Sequence, residues 1–345
     1  MKKICISSKK IGEGEPAFII AEIGYNFNTL DEALRSIDAA VDCGVDAVKF
    51  QTFRAETVAA KGVDFPEEAG GTSQYEEFKQ YELSDEWHQE IFKYAGEKGI
   101  IAFSTPAHQS DVEILEKLGV PAYKTGADDC TNLPFLEFIA RIGKPMILST
   151  GMANLAEVVE AVETVRGTGN DQIVLLHTVS NYPIKDISEV NLKAIQTLRQ
   201  AFNNEVLIGY SDRTTSLTIP VASVALGACV YERHFTIDKN LKAPDAFLSA
   251  DPAEMNGIVK SIREIEKALG TGRKTPANSE KNMRLYTRKS IIAKTAINKD
   301  MEITEDKVII KRPASGIEPK HLNLVIGRKA RVDIKEDEAI TWDKV

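Results

Sequence analysis

The sequence predicts an α/β protein: a (β/α)8 TIM barrel over residues 1–270, followed by a small β-rich domain. Three observations carry this reading. Eight short apolar runs alternate with amphipathic helical segments from residue 17 to residue 270. Eight such units need about 250 residues, which is the size of a (β/α)8 barrel. After Gly270 the pattern changes to short alternating segments. Near-continuous apolar strands separated by helices belong to a parallel sheet covered by those helices. An open doubly wound sheet is the competing architecture, but no GxGxxG follows the first strand.

In a βα barrel the C-terminal strand ends form the active face, so each strand is read with the side chains it releases there. AFIIAEI (17–23) releases Glu22, then Asn26 and Asn28, and LDEALRSIDAAVDCG (30–44) reads as its return helix. DAVKFQT (46–52) gives Lys49, Gln51 and Thr52, and IIAFST (100–105) gives Ser104 and Thr105. PAYKTG (121–126) leads to Lys124, Thr125, Asp128 and Asp129 before the helix LPFLEFIARIG (133–143). PMILST (145–150) ends in Ser149 and Thr150, with the helix LAEVVEAVETVRG (155–167) after it. QIVLLHT (172–178) releases His177, Thr178, Ser180, Asn181 and Tyr182, and EVLIGYS (205–211) releases Ser211, Asp212 and Arg213. CVYERHFT (229–236) gives Glu232, Arg233 and His234, and AEMNGIVKSIREIEKALG (253–270) closes the unit.

Residues 271–285, rich in Gly, Pro, Asn, Ser and Lys, read as a linker. Residues 286–345 contain IIAKTAI, KVIIKRP, GRKARVDI and AITWDKV, a β-rich module of a size that is marginal alone and is expected to dock or oligomerise.

Bulk properties narrow the function. The 345 residues carry a net charge of −8, which argues against nonspecific nucleic-acid binding but allows a local basic pocket. The four cysteines form no CxxC pair, so neither a zinc cluster nor a disulfide framework is expected, and they read as packed small apolar residues. MKKICISSKKIGEGEP lacks the apolar stretch of a signal peptide, and no run reaches the ~20 apolar residues of a membrane span. A cytoplasmic protein is the expectation.

Lys49, Lys124, Arg213 and Arg233 together with small hydroxyls suit a phosphate or carboxylate. Glu22, Asp212, Glu232, His234 and Asp245 are candidates for proton transfer or metal ligation. A single strand-end charge is as readily a solvated loop residue; eight strands behaving alike are not. His88 and His321 read as structural, and His108 stays unassigned.

In order, FIIAEIGYNFN, VDAVKFQTF, FSTP, PAYKTGADDCTNLP, KPMILSTGM, LHTVSNYP, IGYSDRT and ERHFTIDK resemble the sialic acid synthase family. That family includes N-acetylneuraminate, legionaminate and pseudaminate synthases and spore-coat polysaccharide relatives. The tail from about Arg288, with VIIKRPASGI and VIGRKA, resembles the family's C-terminal antifreeze-like domain of the SAF, or β-clip, type. The resemblance implies condensation of phosphoenolpyruvate with an open-chain N-acetylated hexosamine, such as N-acetylmannosamine or a deoxy or diacetamido relative. The product is a nine-carbon 2-keto acid, and phosphate is released. It implies that Lys49 and Lys124, with Ser104, Thr105, Ser149, Thr150 and Ser180, hold phosphoenolpyruvate. Glu22 would position water or protonate the intermediate, and Gln51, Tyr182 and Asp245 would meet sugar hydroxyls. Arg312 would reach the N-acetyl group in the partner subunit of a domain-swapped homodimer. Asn26, Asp128, Asn181, Ser211 and Asp212 complete the candidate binding set.

The resemblance also implies a divalent cation, Mn2+ or Mg2+, and there the sequence departs from it. Phe27 stands where the family reads histidine in NHNG, Arg213 where it reads histidine in SDHT, and Ala246 where it reads histidine in PDH. Of the imidazoles expected near metal and sugar, only His234 remains. Three readings stay open: a synthase in which Arg213 replaces the metal, a related synthase with a different sugar acceptor, or a catalytically silent sugar-binding relative.

Overall fold

The computed structural model describes residues 2–65, 71–182 and 184–345. They form two compact units, Met1–Gly270 and Thr271–Val345. The first opens with an antiparallel hairpin, β1 (Lys3–Ile6) and β2 (Lys9–Gly12), which the sequence reading passed over. Its apolar alternation is diluted by lysines, although Ile4, Ile6 and Ile11 are buried.

All eight expected strands are present: β3 (Phe18–Gly24), β4 (Ala47–Thr52), β5 (Ile101–Pro106), β6 (Tyr123–Thr125), β7 (Met146–Ser149), β8 (Ile173–His177), β9 (Leu207–Asp212) and β10 (Val230–His234). Every adjacent pair is parallel, and β10 closes on β3 to complete a barrel. The helices pack outside, so each strand is buried on both faces and its apolar run is nearly unbroken. Local signals fix the helices. Thr29 caps Leu30–Cys43 in a capping box with Glu32, and Gly44 ends that helix at φ 77. Asp251 and Glu254 form the same box on Pro252–Leu269, with proline in the first turn.

The pleat decides which strand-end residues share a side, because register partners in a parallel pair point the same way. One set is Glu22, Lys49, Gln51, Thr105, Lys124, Ser211, Glu232 and His234, linked by Glu22↔Lys49, Gln51↔Thr105, Glu232↔Ser211 and His234↔Glu22. Below it the same face carries Ile20, Ile147, Val174 and Leu176, all fully buried, so the lower barrel is packed solid. The opposite face carries Phe50, Ser104, Tyr123, Tyr210, Asp212, Tyr231 and Arg233 toward the helices. The β3–β4 register shifts between Glu22 and Gly24. Gly24, at φ 58, is required there, since a Cβ would lie 3.1 Å from Glu22 Oε1 and 3.3 Å from Gln51 Nε2.

At the opposite end of the barrel, Asp46 accepts from Ile19 N at 3.0 Å, Lys9 Nζ at 2.8 Å and Arg263 Nη2 at 2.9 Å. Arg263 also donates to Ala17 O at 2.9 Å, which ties the last helix to the start of β3.

The second unit has its own core, including Ile291, Ala293, Ile297, Ile303, Val325, Ile334 and Ile340. Two of its expected short segments form the antiparallel pair β11 (Ser290–Ala293) and β12 (Val308–Lys311). The others contribute isolated bridges, Ile292↔Ala339, Ile297↔Ile334 and Glu302↔Lys329. The stretch read as a linker ends in helical structure, Asn278–Glu280 and Lys281–Thr287.

Candidate active site

The lumen-facing set converges into one buried ionic cluster at the C-terminal rim. Lys49 Nζ lies 2.7 Å from Glu22 Oε2 and 3.9 Å from Glu232 Oε2, and donates to Thr105 Oγ1 at 2.9 Å. Gln51 Nε2 donates to Glu22 Oε1 at 3.0 Å. Lys124, 3% exposed, gives its ammonium to the Thr125 carbonyl at 2.7 Å. Ser211 Oγ donates to Glu232 Oε1 at 2.5 Å and accepts from Arg213 Nη1 at 2.8 Å. Arg213 Nη2 is 3.9 Å from Glu232 Oε1, and its guanidinium carbon lies 5.2 Å from the centre of the Tyr182 ring. The Tyr182 ring stands edge-on to His234 at 5.9 Å, and His234 Nδ1 is 3.5 Å from Asp245 Oδ2.

Burial and mutual charge set the protonation states. Burial pushes the Lys124 ammonium down to about 8, opposed by Glu232 and reinforced by Lys49 and Arg213. Burial would raise Glu232, but Lys124, Lys49 and Arg213 outweigh it and hold the carboxylate at about 2. Glu22 is raised, because burial and Glu232 exceed the pull of Lys49. Burial, then Arg213 and Lys49, keep His234 well below its ordinary value and hence neutral. Asp245 is raised to about 6 by burial, against Arg213.

Buried side-chain polar atoms are normally hydrogen-bonded. Half of the described atoms that lack a hydrogen-bond partner gather at this rim. Thr178, Arg213, Glu232 and His234 supply five of the ten; Glu22 Oε2 has the Lys49 ammonium 2.7 Å away, and Thr125 and Arg233 lie on the helix-facing side of their strands. Such a concentration fits a polar ligand that completes the bonding.

The structure thus brings together Glu22, Lys49, Gln51, Thr105, Lys124, Tyr182, Ser211, Arg213, Glu232, His234 and Asp245. Ser149 is buried on the lumen face of β7, level with Leu176. Thr150 is close by, but its hydroxyl is spent on the Leu176 carbonyl at 3.0 Å. Ser180 Oγ comes so near Gly151 that an added Cβ would lie 2.2 Å away; Asn181 is exposed. Asp128 folds its carboxylate back over Gly126.

Four expected residues, Ser104, Asp212, Arg233 and Asn26, are engaged outside the lumen. Ser104 faces the helices, bonded to Thr52 Oγ1 at 2.7 Å. Asp212 also faces them, accepting from Tyr231 at 2.9 Å and from the Thr214 amide at 2.8 Å; Arg233, on the same side, donates to Leu248 O at 3.0 Å. Asn26 is a structural staple: Nδ2 donates to Ser249 Oγ at 3.0 Å and Oδ1 accepts from Asp245 N at 3.1 Å. Arg312 is exposed in the second unit, just after β12. Phe27 is also outside the lumen, packed on Phe50 and Trp87 at 6.3 Å each, and Ala246 is buried in a short helical turn. His88 bonds Thr52 and Ser84, the structural role expected of it. Tyr25 was missed. Burial raises its phenol, with Asp245 and Tyr182 the next contributors, which places it beside the site. Its position three residues after Glu22 was the available signal.

The donors do not fit the divalent cation that the resemblance implies. Among the described residues no group of three or more His, Cys, Asp or Glu is arranged to hold one. His234 Nδ1 has Asp245 at 3.5 Å, and Arg213 nearby offers positive charge and no lone pair.

The NeuB family profile matches residues 36–274, and the SAF domain profile matches residues 288–345. The chain is 44% identical to an uncharacterized protein of Methanocaldococcus jannaschii, over 99% of this chain and 98% of that one. It is 38% identical to the N,N'-diacetyllegionaminic acid synthase of Legionella pneumophila, over 98% and 97%. The crystal structure of the N-acetylneuraminic acid synthetase of Leptospira borgpetersenii aligns with TM-score 0.74 and 34% identity, over 82% of this chain and 95% of that one.

Proposed function

This chain belongs to the NeuB family of sugar acid synthases, and we propose that it condenses phosphoenolpyruvate with an open-chain N-acetylated hexosamine. N-acetylmannosamine or a deoxy or diacetamido relative is the acceptor class, and the product is a nine-carbon 2-keto acid. The observation that carries the reading is the pair of buried ammonium groups, Lys49 and Lys124, on one lumen face together with the carboxylates of Glu22 and Glu232. Such a site is costly to keep empty and suits a small ligand bearing both phosphate and carboxylate.

In this reading Lys49, Lys124, Thr105, Ser149 and Ser180 take the anionic groups. C3 of the enol attacks the aldehyde carbon, water adds at C2, and phosphate leaves by C–O cleavage. Glu22, with its raised carboxyl and its contact to Lys49, is suited to carry the proton that the water loses. Gln51, Tyr182 and Asp245 face the sugar. The exposed Arg312 is read as reaching the N-acetyl group of a partner subunit's substrate, in a swapped homodimer. Among the described residues no helix is long and apolar enough to cross a membrane.

The test is phosphate release from phosphoenolpyruvate with each acceptor in turn, with the product identified by mass. Release dependent on one acceptor supports the reading; no release with any of them overturns it.

A further inference from the structure

Resting on the condensation reading, we propose that the Arg213 guanidinium is the electrophile that polarises the acceptor aldehyde, in a centre that takes no divalent cation. Arg213 follows β9 directly and is held from several sides. Nη1 donates to Ser211 Oγ at 2.8 Å and to Asp212 O at 3.2 Å, Nη2 lies 3.9 Å from Glu232, and the Tyr182 ring covers one face. The turn that carries it is fixed from behind, where the Asp212 carboxylate binds the Thr214 amide and Tyr231. Held this firmly, the guanidinium still keeps Nε buried and without a partner, in a residue 7% exposed. A rigid cation with an uncommitted donor is a preorganised site for developing negative charge.

The surroundings suit a guanidinium and oppose a metal. Divalent cations of this class take about six oxygen or nitrogen ligands, whereas His234 and Asp245 supply two side chains and the nearby Glu22 carboxylate is taken by Lys49 and Gln51. Glu232 is already engaged by Ser211, Arg213 and Lys49. Both His234 nitrogens lack hydrogen-bond partners. Next to Arg213 across the Tyr182 ring, that neutral imidazole is placed to bond the substrate.

The step balances without a metal. The enol pair of phosphoenolpyruvate forms the new C–C bond, and the carbonyl π pair moves to oxygen as an alkoxide that Arg213 stabilises. The alkoxide gains one proton, and the water adding at C2 loses one. Phosphate then leaves with the C2–O pair as the new C2 hydroxyl closes to the ketone, and the departing phosphate takes the proton that this hydroxyl gives up.

The experiment uses the full chain stripped with chelator. Mn2+ is titrated into it and followed by the electron paramagnetic resonance signal of free Mn2+, while phosphate release is assayed with and without Mn2+. The expected result is an undiminished free Mn2+ signal and turnover that is unchanged within about twofold by chelator. Arg213→Ala should lower kcat by about 10^2–10^3-fold, the size typical of losing one preorganised donor, while KM for phosphoenolpyruvate moves less than about threefold. Arg213→Lys, which keeps charge and volume, should recover part of kcat, which a folding defect would not mimic. Stoichiometric Mn2+ binding, or turnover only with Mn2+, overturns this proposal and leaves the synthase reading standing. An unchanged kcat in Arg213→Ala does the same. Absence of turnover with every acceptor, metal present or not, overturns both.

Discussion

The two ends of the barrel handle charge in opposite ways. At the N-terminal end, Asp46 and Arg263 share their hydrogen bonds with Ile19, Ala17, Lys9 and Glu266, and each charged group is answered by protein. A concavity of about 770 Å³ also lies at that end, but Glu13 with Arg199 and Glu266 with Arg263 are already paired along its wall. At the C-terminal end the charges are more deeply buried and less completely bonded. A charge that its own protein satisfies holds the fold together. A charge that is buried and left short is the better pointer to a ligand, and here it outweighs the size of a cavity.

The strongest way to break this comparison is to remove one cation from each end. Lys124→Ala or Lys49→Ala should lower kcat/KM for phosphoenolpyruvate by about 10^3-fold or more, since each removes a charged hydrogen-bond partner of an anion in a buried site. Lys124→Ala should leave the thermal midpoint equal or higher, because it relieves the cost of burying that ammonium. Arg263→Ala should do the reverse. It strips a partly buried network for a loss of about 1–3 kcal/mol, which is roughly 2–4 °C in midpoint per kcal/mol, and leaves kcat intact. Steady-state kinetics and calorimetry on the same samples decide the matter. A silent Lys124→Ala, or an Arg263→Ala that is stable but inactive, would dissolve the distinction.

A smaller effect is expected from pH. Lys124 is held at about 8, below the ordinary lysine value. It is charged below that pH and neutral above, so kcat/KM for phosphoenolpyruvate, which reports the free enzyme, should fall above about pH 8. The linked stability runs the other way. The unfolded chain holds this proton more tightly than the folded one, so the cost of Lys124 is fully present below pH 8. It is relieved as pH rises from there toward the ordinary lysine value. A kcat/KM that stays level through pH 9 would remove Lys124 from the anion site.

The barrel was legible because its strands are buried on both faces and each reads as an apolar run with a polar end. Lys49, Lys124, Glu22 and Glu232 were legible as the charges at those ends. What a strand end does not reveal is the face. Asp212 sits between Ser211 and Arg213 in sequence, yet it points to Tyr231 and the helices while its neighbours meet Glu232. Asn26 looked like a ligand and is a staple for the turn at Asp245, a contact 219 residues distant in sequence. Phe27 stood out as a missing histidine; the structure packs it with Phe50 and Trp87, so of the three departures only Arg213 enters the ionic cluster. The β1–β2 hairpin was lost among lysines.

Ser104 and Thr105 give the smallest and cleanest test of that lesson. They are adjacent hydroxyls on β5, but the pleat sends them to opposite sides. Thr105 accepts from Lys49 at 2.9 Å, inside the lumen, while Ser104 shares a bond with Thr52, which also meets His88. Thr105→Ala should raise KM for phosphoenolpyruvate about tenfold, the worth of a hydrogen bond to a charged group, with little change in stability. Ser104→Ala should leave the kinetics untouched and cost about 1 kcal/mol, because it loosens a buried network whose other members remain. Kinetics and denaturant titration of the two variants resolve it. If Ser104→Ala carried the kinetic defect and Thr105→Ala the stability loss, β5 would be in register one residue away from the arrangement described. The strand's claim on the active site would then pass from Thr105 to Ser104, and Lys49 would lose the hydroxyl that positions it.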